Sequence, residues 1–521
     1  MPDTTAERIQ LPIQLMPRTV HVHPELTPMG ARGINQQIVV DALQDAGIDY
    51  FMVRGLEDRV PVVGVPGAQR AAALTALAAL AKREAGYVAT ILPKPSTRDL
   101  LSEGADDAAW RKLADSKVKV LRLVWFRTET TQKIFYGREY GCDIEFWDTG
   151  KDGTRMWAPR PNRMSRALPV AGDSVQAPGE LFTRLAGPRP VLPAVRTRPE
   201  MSLVSPDDIN FPIDVVYTWV DGNDPAWQRK RAQVTGETYH AESASDARFL
   251  SRDELRYSLR SLHANAPWVR NIYIVTDEQT PPWLDSSAPN LHVVSHKEIF
   301  SDPGVLPVFN SHAIESQLHH IDGLAEHFLY FNDDMFIGRP LAPQAFFLPN
   351  GLSRFFLSQG RVPVAPISPE DTPVDAAHKN NRQLLERKFG STTSQVFQHV
   401  PYALRRSVLT EIENEFAAEY TATMASRFRS TQDLSPVSNL YHYYAYLSGR
   451  ALAGSVKYGY IQLAVPDLQA RLARALARRD WDAFCLNDAY STKEELASQD
   501  TILRPFLDSY FPVPSPYEKR G

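Results

Sequence analysis

The stretch 213-IDVVYTWVD-221 is an apolar, β-branched run that stops at an acid, and two later stretches repeat it, 271-NIYIVTD-277 and 328-FLYFNDD-334. Short runs rich in Val, Ile, Tyr and Phe read as strands. Between the first two lies 252-RDELRYSLRSLHANAP-267, with Leu255, Leu259 and Leu262 on one helical face. Before the third lies 311-SHAIESQLHHIDGLA-325, with Ile314, Leu318, Ile321 and Leu324 similarly spaced, and 290-NLHVV-294 is a short strand between. Strand, helix, strand, helix, strand predicts an α/β fold with a mostly parallel sheet and crossover helices. Ligands of such sheets bind beyond the carboxyl ends of the strands, where these acids stand.

Working outward, 521 residues are too many for one ordinary core and predict two or three domains. Ten prolines between Pro159 and Pro212 predict an extended linker over 166–210, with the chain cut near residue 205. The part before it, 1–165, reads as a smaller α+β domain of unknown role. It has a helix from Asn35 to Ala46, strands at 48–55, 60–65 and 118–126, and a helix from Gln69 to about Ala85. CDIEFW and TRMWAP flank the turn DTGKDG as a hairpin. The part after it, 211–518, carries the strand–helix pattern.

A net charge of -4 gives no support to nucleic-acid binding. Two cysteines, Cys142 and Cys485, are too few for a disulfide framework, and no glycosylation sequon occurs. The N-terminus lacks a basic region followed by an apolar block, and the longest apolar run, Ala71 to Ala81, is too short to span a bilayer. The expected address is the cytoplasm. Peripheral contact with the inner face of the membrane and homo-oligomer formation remain open alternatives.

Adjacent carboxylates in a buried run are costly unless something positive meets them. Asp333 and Asp334, at the end of their strand after Asn332, suit a hard divalent cation, Mg²⁺ or Mn²⁺, which takes one or two carboxylates together with phosphate oxygens. Such acids also cap helices or form turns, so the neighbouring segments matter. In 213-IDVVYTWVDGNDPAWQRKR-231, Gly222 permits close backbone approach, Trp219 could stack on a base, and Asp221 could meet a ribose or the metal; Trp227 reads as buried. Arg252, Arg256 and Arg260 recur at four-residue spacing, so Arg252 or Arg256 could meet a diphosphate. Asp253 and Glu254 suit a first helical turn. Glu315 sits after the candidate cap Ser311 and could act as a base, as could His399, while Arg429 could meet phosphoryl charge.

Four blocks together resemble the Stealth family of sugar-phosphate transferases: IDVVYTWVDGNDPAW; RDELRYSLRSLHANAPWVRNIYIVTDEQTPPWL with HAIESQLHHIDGLAEHFLYFNDDMFIGRPL; HKNNRQLLERKFG with QHVPYALRRSVL and FRSTQDLSPVSNLYHYYAYLSG; and CLNDAYSTKEELASQDTILRPFLDSYFPVPSPYE. The resemblance covers about 211–518. It implies a modified nucleotide-sugar-transferase fold (GT-A-like, Rossmann-type) with helical additions, and a divalent metal. It implies transfer of a hexose-1-phosphate from a UDP-sugar to an acceptor hydroxyl on an oligosaccharide or lipid-linked saccharide, with release of UMP, as in capsule or exopolysaccharide synthesis. The family's catalytic positions carry over to Glu315, Asp334, His399 and Arg429, and its metal positions to Asp333, Asp334, Asn487 and Asp488. Substrate binding is expected of Trp219, Val220, Asp221, Gly222, Asn223, Arg252, Glu254, Arg256 and Asn332. The rival readings are a glycosyltransferase releasing UDP, a nucleotide-sugar binding module without catalysis, and a metal-dependent phosphodiesterase.

Overall fold

The computed structural model describes the chain except residues 1–6, 14, 92–100, 188–191, 235–250, 489–492 and 521, and side chains of 493–498 also lie outside the description, so that residues 489–492 of the last quoted block are not described. The chain divides into two compact units, Met1–Asp208 and Ile209–Gly521.

The first unit is α+β. Its main sheet runs Val175–Ala177, Val195–Thr197, Phe51–Val53, Val62–Pro66, Cys142–Thr149, Val120–Val124, Tyr87–Thr90, Ser102–Glu103. Helices Pro28–Asp45 and Arg70–Arg83 bury Val39, Leu43, Leu74 and Leu77 in the same apolar cluster as these strands. The first helix begins seven residues before the predicted Asn35, because Thr27 caps it by accepting from Gly30 N and Pro28 supplies a preset φ. The hairpin at DTGKDG is present, Cys142–Thr149 pairing antiparallel with Arg155–Trp157.

Residues 166–210 are not a linker. Three-residue strands Ala167–Pro169, Val175–Ala177 and Val195–Thr197 lie in this stretch, and Leu168, Phe182, Leu185 and Met201 are buried. Val195–Thr197 joins the main sheet beside Phe51–Val53, where Thr197 Oγ1 donates to Met52 O at 2.6 Å and Arg196 and Arg198 both grip Asp49. Among the described prolines, Pro169 ends a three-residue strand and Pro178 and Pro199 stand at the starts of 3₁₀ turns, where no ladder donor is lost.

In the second unit, β1 (Ile213–Thr218), β2 (Ile272–Thr276), β3 (Leu291–Ser295) and β4 (His327–Asn332) form a parallel sheet in the order β3-β2-β1-β4. Helix α1 (Glu254–Asn265) follows β1 and buries Leu255, Leu259 and Leu262, as the spacing predicts. The second predicted helix is broken. Residues 311–325 give α2 (Ser311–Glu315), one short 3₁₀ turn, Leu318–His320, and irregular chain. His312, Glu315, Ser316, Gln317 and His319 are buried as well as Leu318, Ile321 and Leu324, so polar positions do not collect on a water-facing side, and side-chain hydrogen bonds supplement the short-range backbone turns.

Strand β5 (Met335–Ile337) continues from the Asn-Asp-Asp turn. Helix α3 (Pro373–Phe389) leads to β6 (Tyr402–Arg405), which pairs antiparallel on the outside of β4. A smaller sheet is built from β5, β8 (Ala483–Asn487) and β7 (Tyr458–Gln462), with β8 in the middle. Helix α4 (Lys493–Tyr510) covers it, with Leu503, Phe506 and Leu507 packed on Phe336, Phe484 and Ile461. Thr218 pairs with Asn332, so the ends of β1 and β4 meet one edge of the sheet and their acidic loops leave from the same rim. Asp214, at the opposite end of β1, is fully buried but accepts from Arg270 Nε at 2.8 Å and Ala325 N at 2.7 Å, a structural acid with donors to match.

Candidate active site

Asp333 and Asp334 stand where β4 turns into β5. The Asp334 backbone carbonyl accepts from Leu486 N at 3.1 Å, fastening the turn to β8, and its Oδ2 accepts from the Cys485 thiol at 3.1 Å. His399 Nε2 lies 3.6 Å from Asp334 Oδ1, and His399 Nδ1 is 3.2 Å from the Tyr402 hydroxyl. Donor atoms of Asp334, His399 and Cys485 all fall within 4.8 Å of one another. Yet Asp334 Oδ1 is buried and accepts no hydrogen bond among the described residues. Burial and the charges of Glu254 and Asp334 push the Asp333 carboxyl well above the ordinary range. Burial likewise raises Glu254, whose Oε2 accepts from Arg252 N at 2.6 Å. Three carboxyls crowding with an unanswered oxygen is an arrangement that a divalent cation would relieve, so the residues fit one.

Beside this cluster Arg252 donates to Asp488 Oδ2 at 2.5 Å and to Gln499 Oε1 at 2.9 Å. Arg256 does not join it. It donates to Glu518 Oε2 at 2.5 Å, and Arg260 holds the other oxygen of Glu518 at 2.8 Å. The stripe breaks because α1 begins only at Glu254. Asp253, with φ +64, turns the chain there, so Arg252 precedes the helix and points elsewhere.

Glu315 closes α2, whose cap is Asn310 rather than Ser311. It is 4% exposed; the Tyr330 hydroxyl donates to Oε1 at 3.3 Å, and Oε2 has no partner among the described residues. Burial lifts its carboxyl to about 7, against the pull of Arg429, Tyr330 and His399. Arg429 donates to Ser311 Oγ at 2.5 Å. Its loop is set by Asp433, which accepts from Ser430 N at 2.9 Å and Asn310 Nδ2 at 2.8 Å, while Asn380 of α3 donates to the carbonyls of Thr431 and Asp433. Glu315, Asp334, His399 and Arg429 are therefore neighbours, although they come from α2, the β4–β5 turn and two later segments.

The remaining expected positions divide. Asn332 ends β4 opposite Thr218, and Asn487 ends β8 with its carbonyl accepting from Leu463 N. Asp221, Gly222 and Asn223 form a turn in which Asp221 Oδ1 accepts from Asn223 N, pinned past β2 by Gln279. Trp219 is 8% exposed and packs in the core, so it is not an open platform for a base; Val220 packs on the Trp227, Phe309 and Phe428 cluster. Trp227 is buried, as expected. The sequence gives no local signal for Cys485, Tyr330 or Tyr402 at this site, because strand pairing across long separations brings them there.

Models of all four Stealth conserved regions match this chain: region 1 at 211–239, region 2 at 248–355, region 3 at 398–446 and region 4 at 473–521. The exopolysaccharide phosphotransferase SCO6021 of Streptomyces coelicolor is 51% identical over 96% of this chain and 92% of its own length. The chain belongs to the Stealth family. It is an enzyme that transfers phosphorus-containing groups. The exopolysaccharide phosphotransferase CpsY of Mycobacterium tuberculosis is 36% identical over 95% of this chain and 90% of its own. These matches run through the first unit too, so that unit is shared with the family's relatives rather than private to this chain. Among solved structures, the galactosyltransferase LgtC bound to donor and acceptor sugar analogues is 9% identical, covers 57% of this chain and 95% of its own, and has a TM-score of 0.30. Among the described residues no helix is long and apolar enough to cross a membrane.

Proposed function

We propose that this Stealth protein transfers a hexose-1-phosphate, N-acetylhexosamine-1-phosphate for example, from a UDP-sugar to a hydroxyl of an oligosaccharide or lipid-linked acceptor in exopolysaccharide synthesis. The observation that carries the reading is the meeting of Glu315, Asp334, His399 and Arg429 around two carboxylate oxygens, Glu315 Oε2 and Asp334 Oδ1, that no donor answers among the described residues. The acceptor oxygen attacks the phosphorus next to the sugar. The bond from that phosphorus to the bridging oxygen breaks, and UMP leaves with the bridging oxygen. Glu315, with a carboxyl near 7 and a bare Oε2, takes the acceptor proton. Arg429 faces the charge on the transferred phosphoryl oxygens, and His399 donates to one of them. Arg252 exchanges Asp488 for the diphosphate. Asp333, Asp334 and Asp488 would hold Mg²⁺ (or Mn²⁺), which when bound neutralises charge on the diphosphate. A UDP-sugar pool places the reaction in the cytoplasm, and a lipid-linked acceptor would bring it to the inner face of the membrane.

The test is a panel of UDP-sugars with Mg²⁺ and simple methyl glycosides as acceptors, followed by ³¹P NMR. UMP together with a new phosphodiester resonance is the expected result. UDP would make the protein a glycosyltransferase, and UMP formed at equal rates without acceptor would make it a phosphodiesterase.

A further inference from the structure

The helix Arg406–Glu415 follows β6 and brings Glu413 to the 3₁₀ turn Leu318–His320. Side chains of adjacent residues in such a turn ordinarily diverge by about a third of a revolution. Here both imidazoles converge on one carboxylate oxygen instead. His319 Nε2 lies 2.7 Å and His320 Nε2 3.0 Å from Glu413 Oε2, with the ring centroids 4.2 Å apart. The three ligand atoms fall within 4.8 Å of one another. Arg406 Nε donates to the His319 carbonyl at 3.0 Å and ties the turn to the start of the same helix.

The hydrogen-bond roles leave one lone pair opposed. His320 Nδ1 is 3.0 Å from the Ile299 carbonyl, which can only accept, so Nδ1 carries a proton. In the neutral ring Nε2 is then a bare acceptor aimed at a carboxylate oxygen, which also only accepts. Something positive belongs between them, either a second proton on His320 or a metal ion. His319 is 1% exposed, and burial lowers its pKa, so its imidazole is in the neutral form that a metal ligand requires. The carbonyl behind His320 is the outer support that metal-binding imidazoles characteristically have. The His320 and Glu413 side chains are partly exposed, which gives an ion and its water a way in.

We infer that His319 Nε2, His320 Nε2 and Glu413 Oε2 form a site for Zn²⁺ or a similar borderline-soft divalent cation, with water as the fourth ligand. It uses none of the residues around Asp334 and does not rest on the proposed transfer. Two imidazoles with one carboxylate suit Zn²⁺ rather than Mg²⁺, which prefers oxygen ligands. Bonds of about 2.0–2.1 Å set tetrahedral ligands about 3.3 Å apart, so the two close contacts need only open slightly. The ion staples the turn that follows Glu315 to the helix that follows β6.

The test titrates Zn²⁺ alone into the full chain by calorimetry, in excess Mg²⁺. The Asp334→Ala protein serves as parent, which removes the Asp334, His399 and Cys485 cluster from the count. That parent should bind one Zn²⁺, and adding His320→Ala or Glu413→Gln should weaken binding about a hundredfold. X-ray absorption at the zinc edge should show nitrogen and oxygen neighbours at about 2.0–2.1 Å and no sulfur at about 2.3 Å. Glu413→Gln keeps the side-chain shape, so it decides alone should His320→Ala fail to fold by circular dichroism. The inference is overturned if the parent binds no Zn²⁺, which would leave an imidazolium–carboxylate pair. It is equally overturned if a folded second substitution binds as tightly as the parent, or if sulfur appears in the spectrum.

Discussion

Both units bury acids in their sheets, and they treat them in opposite ways. In the first unit Asp143 accepts from Arg122 at 2.6 Å and from Arg160 at 2.7 Å, and Glu145 accepts from Arg160 at 2.7 Å and Trp147 at 3.1 Å. Each lies within the strand Cys142–Thr149, and each charge is answered by guanidinium or indole donors. At the end of β4, Asp333, Asp334 and Glu254 face one another, and the positive group nearest Glu254, Arg252, also serves Asp488. An acid with its donors is architecture; acids left crowding at a strand terminus are held by the fold against their own repulsion, ready for a cation or a proton.

The comparison is sharpest if one carboxylate is removed from each unit. Asp334→Ala should cut turnover by about a thousandfold, because no other group occupies its place between His399 and Cys485. The folded protein should survive, since removing one of several like charges relieves repulsion; circular dichroism and the UMP assay read the two halves. Asp143→Asn should do the reverse. It strands Arg122 and Arg160 with an amide and should destabilise the first unit by about 3 kcal/mol in urea unfolding. Turnover of the folded fraction should stay near that of the unaltered protein. If Asp143→Asn abolished chemistry while leaving stability intact, the division into paired and unpaired acids would be wrong.

Glu315 refines the contrast because its Oε2 lacks a partner among the described residues without the residue being near a strand end. Glu315→Gln should lower kcat/KM by about a hundredfold. Its pH profile carries the sign. Burial raises the carboxyl, so the group is protonated and idle in acid and becomes a base only as pH climbs through about 7. The rate should thus rise about tenfold per pH unit below that point and level above it. The Gln variant should lose that limb, and a limb that persisted would assign the base elsewhere.

The parallel sheet was legible because buried strands are continuous apolar runs, and the acids at their ends were legible because nothing else interrupts such runs. Two features were not. The segment 166–210 looks like a linker by composition, yet strands of three residues gain their stability from pairing and from Arg196 and Arg198 on Asp49, none of which local sequence displays. The arginine stripe misled for a different reason: helical spacing assumes a helix, and the left-handed Asp253 puts Arg252 outside it.

The smallest effect concerns Cys485, and it tests how the Asp334 carboxylate is set. Its thiol donates to Asp334 Oδ2 at 3.1 Å from the central strand of the smaller sheet, with no exposure to solvent. If the sulfur matters only as that donor, Cys485→Ser keeps the hydrogen bond and should run within about twofold of the unaltered enzyme, whereas Cys485→Ala, which removes it, should cost about fivefold in kcat. The pattern separates two roles that the shared distances leave together. A positioning donor is replaceable by another donor, so serine rescues; a sulfur that itself bound the cation would not be, and both variants would fall toward Asp334→Ala, with thiophilic metals then favoured over Mg²⁺. Measuring kcat for both variants with Mg²⁺ decides whether the crowded acids at the end of β4 act through oxygen alone.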